Sequence, residues 1–174
     1  MKETDIIEAL RMRLAVQAGR HLYGVLGTYP ALEAFAKKLQ EAKTVEGQPF
    51  PAPISVNKGI LNTIPDEEFR GLVEDEAKRP EPTQAHVARA FDAFLRETLK
   101  SNGLVVLAHL ELLFAYRLEL SSLRTLAADT QKILLLLPGK REGGRISLFP
   151  DSDEGSYTLP MNLIAENHLW ELGG

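Results

Sequence analysis

The stretch Ile133-Leu134-Leu135-Leu136-Leu137-Pro138-Gly139 determines the fold class that we predict for this chain. Its aliphatic run is far shorter than the ~20 residues that a membrane span requires. The run shows no alternation with polar residues, which predicts a strand buried on both faces, as in the centre of a parallel sheet. Pro138 has no amide donor and Gly139 readily adopts positive φ, so we expect the strand to end there.

Short apolar runs alternate with helical patterns along the rest of the chain, which is typical of an α/β domain. The apolar runs predict further strands at 22–26, 54–56, 104–107, 146–149 and 169–172. The helical patterns predict helices at 4–18, 30–42, 83–100 (capped by Thr83) and 121–128, and a short helix or turn at 109–116. A further helix is predicted to start at Pro65, with Phe69, Leu72 and Val73 as its apolar stripe. We therefore predict one three-layer α/β domain over residues 1–174, with a mainly parallel central sheet.

Composition limits the classes of function. The chain has 174 residues, a formal net charge of −4 and no cysteine. Disulfides, thiol catalysis and thiolate metal sites are therefore excluded. The acidic balance gives no support to direct nucleic-acid binding, which usually needs a basic footprint. The first residues do not have the pattern of a signal peptide, so we expect a cytoplasmic protein without a membrane segment.

The segment around the first strand is arranged as in a P-loop domain. A strand, a turn with Gly24, Gly27 and Thr28, and a helix follow one another, and 104–107 lies where a Walker B strand would lie. A working phosphate loop requires a lysine before its Ser or Thr, and none is present. Ala108 and His109 stand where a magnesium-binding acid is expected. The pattern predicts a fold resembling a degenerate P-loop-type domain without nucleotide hydrolysis. A degenerate nucleotide-binding, NTPase-like domain is the alternative function to an interaction component.

The candidate catalytic residues do not form a recognisable constellation. None of the four histidines shows the i, i+4 or H-E-x-x-H spacing of a helical zinc site. His109 follows a predicted buried strand and Glu111 is close to it in sequence, but no spacing identifies a nucleophile. We therefore expect a protein without catalytic activity, cofactor or metal. An enzyme using His109 and Glu111 would require both side chains in one pocket.

Two segments are candidate contact sites. Lys140, Arg141 and Arg145 surround Gly143 and Gly144 just after the central strand. Such a loop can hold an anion, form a charged hairpin or contact a protein, and we favour a docking edge over phosphate chemistry. The second segment is rich in leucine and contains Phe114 and Tyr116; the part of it that is not in the core would form an apolar partner patch.

Several of these motifs resemble BrxB, a family of small proteins in BREX bacteriophage-defence systems. The resemblance covers about half of the chain. It rests on the strand and leucine-rich segment from Leu104 to Tyr116, followed by 120–126, and on Leu137-Pro138-Gly139-Lys140. It continues through Gly143-Gly144-Arg145-Ile146-Ser147-Leu148-Phe149, then Tyr157 and Asn162-Leu163-Ile164. A neighbouring possibility in the same systems is a BrxF-like P-loop protein, against which the missing Walker lysine counts.

The resemblance implies a non-enzymatic component of a multiprotein defence complex, with a PglZ-type phosphatase-like protein as a candidate partner. In that interpretation the partner-binding residues are Lys140, Arg141, Gly143, Gly144 and Arg145, together with Phe114 and Tyr116.

Overall fold

The computed structural model describes residues 1–68, 70–71, 80–152 and 155–173. The strands are β1 (Leu22–Gly27), β2 (Ile54–Ser55), β3 (Leu104–Ala108), β4 (Lys132–Glu142), β5 (Arg145–Leu148), β6 (Tyr157–Thr158) and β7 (Leu169–Glu171). The helices are α1 (Glu3–Leu14), α2 (Tyr29–Glu41), α3 (Val56–Thr63), α4 (Pro80–Ser101), α5 (Glu111–Ala115) and α6 (Ser121–Leu126), with a 3₁₀ turn at Glu166–His168. Residues 66–68 and 70–71 are also helical. The apolar stripe predicted at Phe69, Leu72 and Val73 lies outside the described residues.

The strands form one sheet with β4 at its centre. The order β2-β3-β4-β1-β7 is parallel throughout, while β5 pairs antiparallel with the far end of β4, and β6 pairs with β5. The register between β1 and β4 runs from Leu22 opposite Ile133 to Gly27 opposite Pro138. The aliphatic run of β4 is buried along its whole length, as the missing polar alternation predicted.

Helices cover both faces of the sheet. On β1, Tyr23 and Val25 point to the face covered by α1 and α2, whereas Leu22 and Leu26 point to the face covered by α3, α4, α5 and α6. This division follows from the two-residue period of a strand. The predicted three-layer α/β sandwich with a mainly parallel sheet is confirmed, while its resemblance to a degenerate P-loop-type domain stays a prediction.

The predicted end of the central strand is wrong. β4 continues past Pro138 and Gly139 to Glu142, because its last residues exchange a parallel partner for an antiparallel one, β5. β3 pairs with β4 as far as Leu135, and β1 pairs with it as far as Pro138. Pro138 therefore lies where the parallel pairing ends. Gly139 is required for close approach rather than for positive φ, because a Cβ there would lie 2.3 Å from the Ser147 carbonyl oxygen.

Two helix ends also differ from the prediction. α1 stops at Leu14 instead of residue 18, since the following residues are exposed and bury nothing that would stabilise another turn. α4 starts at Pro80, so Thr83 lies inside its first turn and is not its cap. Prolines are tolerated in a first helical turn because the amides there have no intrahelical acceptor.

Candidate partner-binding cleft

The basic segment after the central strand forms an ordered hairpin. Its pairs run from Gly139 opposite Leu148 to Glu142 opposite Arg145, which leaves a two-residue turn. Gly143 and Gly144 have φ of 53° and 82°, as in a type I′ turn, which requires positive φ at both positions. The turn therefore presents the predicted basic residues at fixed positions along two paired strands.

Lys140 and Arg141 have different surroundings on this hairpin. Lys140 Nζ forms an exposed ion pair with Glu142 Oε1 at 2.7 Å, and this carboxylate raises the pKa of Lys140. Arg141 donates to the Leu169 carbonyl oxygen at 3.0 Å and to Glu166 Oε1 at 3.3 Å. Arg141 thus ties the hairpin to the segment that enters β7, in addition to carrying charge.

Beside the hairpin lies a cleft of about 530 Å³ that contains four arginines. Arg141 and Arg145 come from the hairpin, and Arg124 comes from α6. Arg20 precedes β1 and forms an isolated β-bridge with Ala128. All four are exposed, and Glu166 is the carboxylate among the lining residues. Within the described chain, Arg20, Arg124 and Arg145 form no ion pair.

The same cleft has an apolar part. Met161, at its edge, is 90% exposed, whereas five other apolar residues that line it belong to the core. Those core residues are Leu22, Leu159, Leu163, Ile164 and Leu169. Guanidinium groups beside an exposed methionine give the cleft the two side-chain types, Arg and Met, that are enriched at protein interfaces.

Phe114 and Tyr116 do not line this cleft. Phe114 is buried and packs against Phe149 and Tyr157, with ring centroids 5.2 and 6.1 Å away. Tyr116 is half-buried and packs against the same core. The structure therefore places Phe114 beneath the segment that follows the hairpin, where it offers little surface to a partner.

Arg20 and Arg124 were not among the predicted site residues. Neither lies in a motif, and they are separated along the chain from the hairpin and from each other. They meet because α6 leads into β4 and Arg20 precedes its neighbour β1. The only available sequence signal was a single arginine just before a predicted strand, which is too common to indicate a site.

The turn after β1 leaves no room for a phosphate loop. Thr28 is the only residue between β1 and α2, and its hydroxyl accepts a hydrogen bond from the Ala31 amide at 3.3 Å. A phosphate loop needs several residues whose amides surround the anion. Gly24 lies inside β1, where a Cβ would come within 2.7 Å of Leu169. The glycines at 24 and 27 therefore serve packing.

His109 and Glu111 lie at the carboxyl edge of the sheet with different partners. Glu111 accepts from the Tyr29 hydroxyl at 2.9 Å and from Asn57 Nδ2 at 2.9 Å. Burial and the Glu111 carboxylate raise the pKa of Tyr29 to about 12, so this phenol stays neutral at pH 7. His109 is exposed, has φ of 53°, and its carbonyl accepts from the Asn57 amide at 3.0 Å. Both Glu111 oxygens accept hydrogen bonds from neutral donors, Tyr29 and Asn57. These bonds do not direct the Glu111 carboxylate towards the His109 ring.

A buried imidazole lies at the opposite, amino end of β1. His21 is 2% exposed, and its Nδ1 is 2.7 Å from the Tyr23 hydroxyl. The His168 ring lies 4.6 Å from the Tyr23 ring. Burial lowers the pKa of both histidines, assisted by nearby cations, Lys132 for His21 and Arg13 for His168. His21 and Tyr23 are buried in the core, whereas His168 is half-buried and lines the arginine-containing cleft.

No family model, curated protein or solved structure matches this chain. Among the described helices, none combines the length and the apolar character that crossing a bilayer requires.

Proposed function

We propose that the protein is a non-enzymatic interaction component that receives an acidic segment of a partner protein in the arginine-lined cleft. The observation that supports this most directly is the convergence of Arg20, Arg124, Arg141 and Arg145 on one cleft in a chain with net charge −4. A guanidinium group matches a carboxylate in planar geometry and can form two parallel hydrogen bonds with it.

The exposed Met161 indicates the composition of the partner segment. A flexible thioether at the edge of a basic cleft suits an apolar side chain placed next to carboxylates. The Gly143-Gly144 turn can approach the partner's main chain closely because no side chain stands in the way. The proposed partner segment therefore has two or more acidic residues and one apolar anchor.

The BrxB resemblance provides a setting for this proposal. In it, the chain acts in the cytoplasm within a BREX-like phage-defence complex, and a PglZ-type component is the first partner to test. Neighbouring genes that encode such components would support the setting.

The proposal is tested by co-purification with the products of the neighbouring genes. We expect Arg124→Glu combined with Arg145→Glu to abolish recovery of the partner, because both guanidinium groups are exposed and have no ion pair within the described chain. This pair is preferable to Arg141, whose loss would also free Glu166 and the Leu169 carbonyl.

The matched control is Lys58→Glu combined with Lys100→Glu. It changes the net charge by the same amount on exposed lysines that do not line the cleft. The control should retain the partner at the wild-type level. Equal recovery of the partner with both double variants would show that the cleft is not the binding site. Micromolar binding of ATP or GTP with magnesium would favour a nucleotide-binding function instead.

A further inference from the structure

A second cavity, of about 310 Å³, lies at the carboxyl edge of the sheet, on the face covered by α2. It is lined by the ends of β3 and β4, by α2, and by Pro53 ahead of β2. In the order β2-β3-β4-β1-β7, the chain after β1 runs through α2 to β2 at one edge of the sheet. After β4 it runs to β7 at the opposite edge. Such a reversal opens a crevice at the carboxyl ends of neighbouring strands, which is where ligands of open α/β sheets bind.

The walls of this pocket are mainly apolar. Leu32 and Ala36 of α2 face Leu136 of β4, and Pro138 and Ala108 close the strand side. Leu32, Ala36 and Leu136 are buried, so they form the inner part of the pocket. A volume of about 310 Å³ is at the lower end of the range for small-molecule sites, enough for a body of one or two rings.

The polar side chains that line the pocket are a carboxylate, a phenol and an imidazole. Glu33, Tyr29 and His109 line the pocket, and no lysine or arginine is among its lining residues. Glu111 lies directly behind the Tyr29 hydroxyl, and Asp151 is close enough to contribute to the raised pKa of that phenol. Outside the lining, Lys37 pairs with Glu33 at 3.1 Å across an exposed helical turn. Such a pair contributes little and can exchange partners.

Tyr29 is held in place from behind. Its hydroxyl donates to Glu111, whose other oxygen accepts from Asn57, and Asn57 Oδ1 in turn accepts from the Leu112 amide at 3.1 Å. This chain of hydrogen bonds joins α2, α3 and α5. It fixes the phenol ring at the pocket mouth, and an aromatic face can bind a cation there.

We propose that this pocket binds a small organic amine, with its apolar ring-sized body between Leu32, Ala36 and Leu136 and its ammonium group near Tyr29 and Glu33. The inference goes beyond the proposed function, because the arginine-lined cleft shares no lining residue with this pocket and has the opposite charge. A carboxylate or phosphate ligand would face Glu33 with no opposing cation among the lining residues.

The test uses three probes that share one ring and differ in charge: tryptamine, tryptophol and indole-3-acetate. Binding to the isolated chain is measured by calorimetry and by amide chemical shifts in two-dimensional NMR. We expect tryptamine to bind at least about tenfold more tightly than indole-3-acetate, with tryptophol between them, and with shifts at Leu32, Ala108 and His109. No saturable binding of tryptamine, or equal affinity for the three probes, would overturn the proposal.

A pair of surface variants separates this pocket from general charge attraction. Glu33→Gln should weaken tryptamine binding several-fold and leave tryptophol unchanged, because it removes the carboxylate that lines the entrance. Glu46→Gln removes the same charge from an exposed loop that does not line the pocket, and should change neither. Equal weakening by both substitutions would contradict a site at the carboxyl edge. Because no partner protein is present, failure here is distinct from failure of the interaction function.

Discussion

At the scale of single residues, Gly139 shows how a backbone approach determines which residue fits. A Cβ at this position would lie 2.3 Å from the Ser147 carbonyl oxygen and 2.8 Å from Leu148 Cδ2. The first of these is a main-chain atom that cannot move without shifting β5. Gly139 therefore sets the distance between the two strands of the hairpin.

We predict that Gly139→Ala lowers the free energy of unfolding by roughly 1–3 kcal/mol, the usual cost of overpacking. Urea denaturation measures the change. Gly103→Ala is the matched control, because its Cβ would meet the Thr130 carbonyl at an ordinary contact distance of 3.5 Å. The control should change the free energy by no more than about 0.5 kcal/mol. Equal effects in the two variants would show that strand spacing is not the cause.

The two histidines near Tyr23 predict how stability depends on pH. Burial lowers the pKa of His21 and His168 below 6.5 in the folded state, so the unfolded chain binds these protons more readily. Their contribution to stability is present above about pH 6.5 and is lost as the pH falls through the lowered values. Each titrating proton contributes at most about 1.4 kcal/mol per pH unit.

We therefore expect the free energy of unfolding to fall between pH 7.5 and pH 5. His168→Phe keeps an aromatic ring beside Tyr23 and should reduce this slope, because only His21 of the pair remains to titrate. Urea titrations at a series of pH values compare the two proteins, each relative to its own stability at pH 7.5. An unchanged slope in the variant would contradict the assignment.

At this scale the sequence predicted chemistry better than position. The hairpin arginines and glycines were identified because they cluster within a few residues of a buried strand. Arg20 and Arg124 were not, since their proximity depends on strand order. The burial of Phe114 depended on Phe149 and Tyr157 covering it, which no local pattern specifies.

At the scale of elements, the hairpin of β4 and β5 depends on its two-residue turn. Gly143 and Gly144 both have positive φ, and a Cβ on either would meet no atom within 4 Å. The requirement for glycine at these two positions therefore comes from the backbone conformation and not from contact with neighbouring atoms. Asparagine tolerates this region of φ, whereas a β-branched residue does not.

We predict that Gly144→Val destabilises the hairpin by about 1–2 kcal/mol, the cost of a left-handed backbone for a residue with a side chain. Amide hydrogen exchange at 140–147 should accelerate accordingly. Gly143→Asn creates the Asn-Gly pair preferred in type I′ turns and should leave the exchange close to that of the wild type. Similar acceleration in both variants would argue against this turn geometry.

The element pattern was largely predictable, and its errors have physical causes. Short apolar runs located the strands of the parallel sheet, because most residues of β1, β3 and β4 in that sheet are buried. The continuation of β4 was missed because proline ends a strand only where a neighbour needs its amide, and at Pro138 the ladder changes partner. The start of α4 was missed because prolines in a first turn resemble a helix break.

At the scale of the whole molecule, charge is distributed unevenly. The chain is acidic overall, yet four arginines lie around one cleft, and the pocket at the carboxyl edge has no lysine or arginine in its lining. Opposite local potentials on one molecule direct ligands of different charge to different surfaces. The α/β class was predictable from the alternation of elements, but the order β2-β3-β4-β1-β7 was not, because buried strands look alike in sequence.

This uneven charge predicts that salt weakens partner binding. Once a partner is isolated, its dissociation constant should rise several-fold between about 0.05 and 0.5 M NaCl, as screening shortens the reach of the cleft's potential. Arg145→Gln should reduce the dependence on salt, whereas Lys58→Gln, outside the cleft, should not. Calorimetry at three salt concentrations measures this dissociation constant. A dissociation constant that does not change with salt would exclude an electrostatic interface.

β4 belongs to two ladders, and this has a consequence for the order of folding. Its parallel pairing with β1 closes a loop of roughly a hundred residues, whereas its antiparallel pairing with β5 closes a turn of two. Distant contacts have a high entropic cost of closure and slow the crossing of the folding barrier. The folding φ-value is the ratio of a substitution's effect on the folding barrier to its effect on stability. This ratio is expected to be near one in the hairpin turn if the turn forms first, and near zero if the parallel centre governs the barrier. Substitutions of Gly144 in the hairpin turn and of Leu135 in the parallel part of β4 therefore report, in one protein, on local and distant steps of folding.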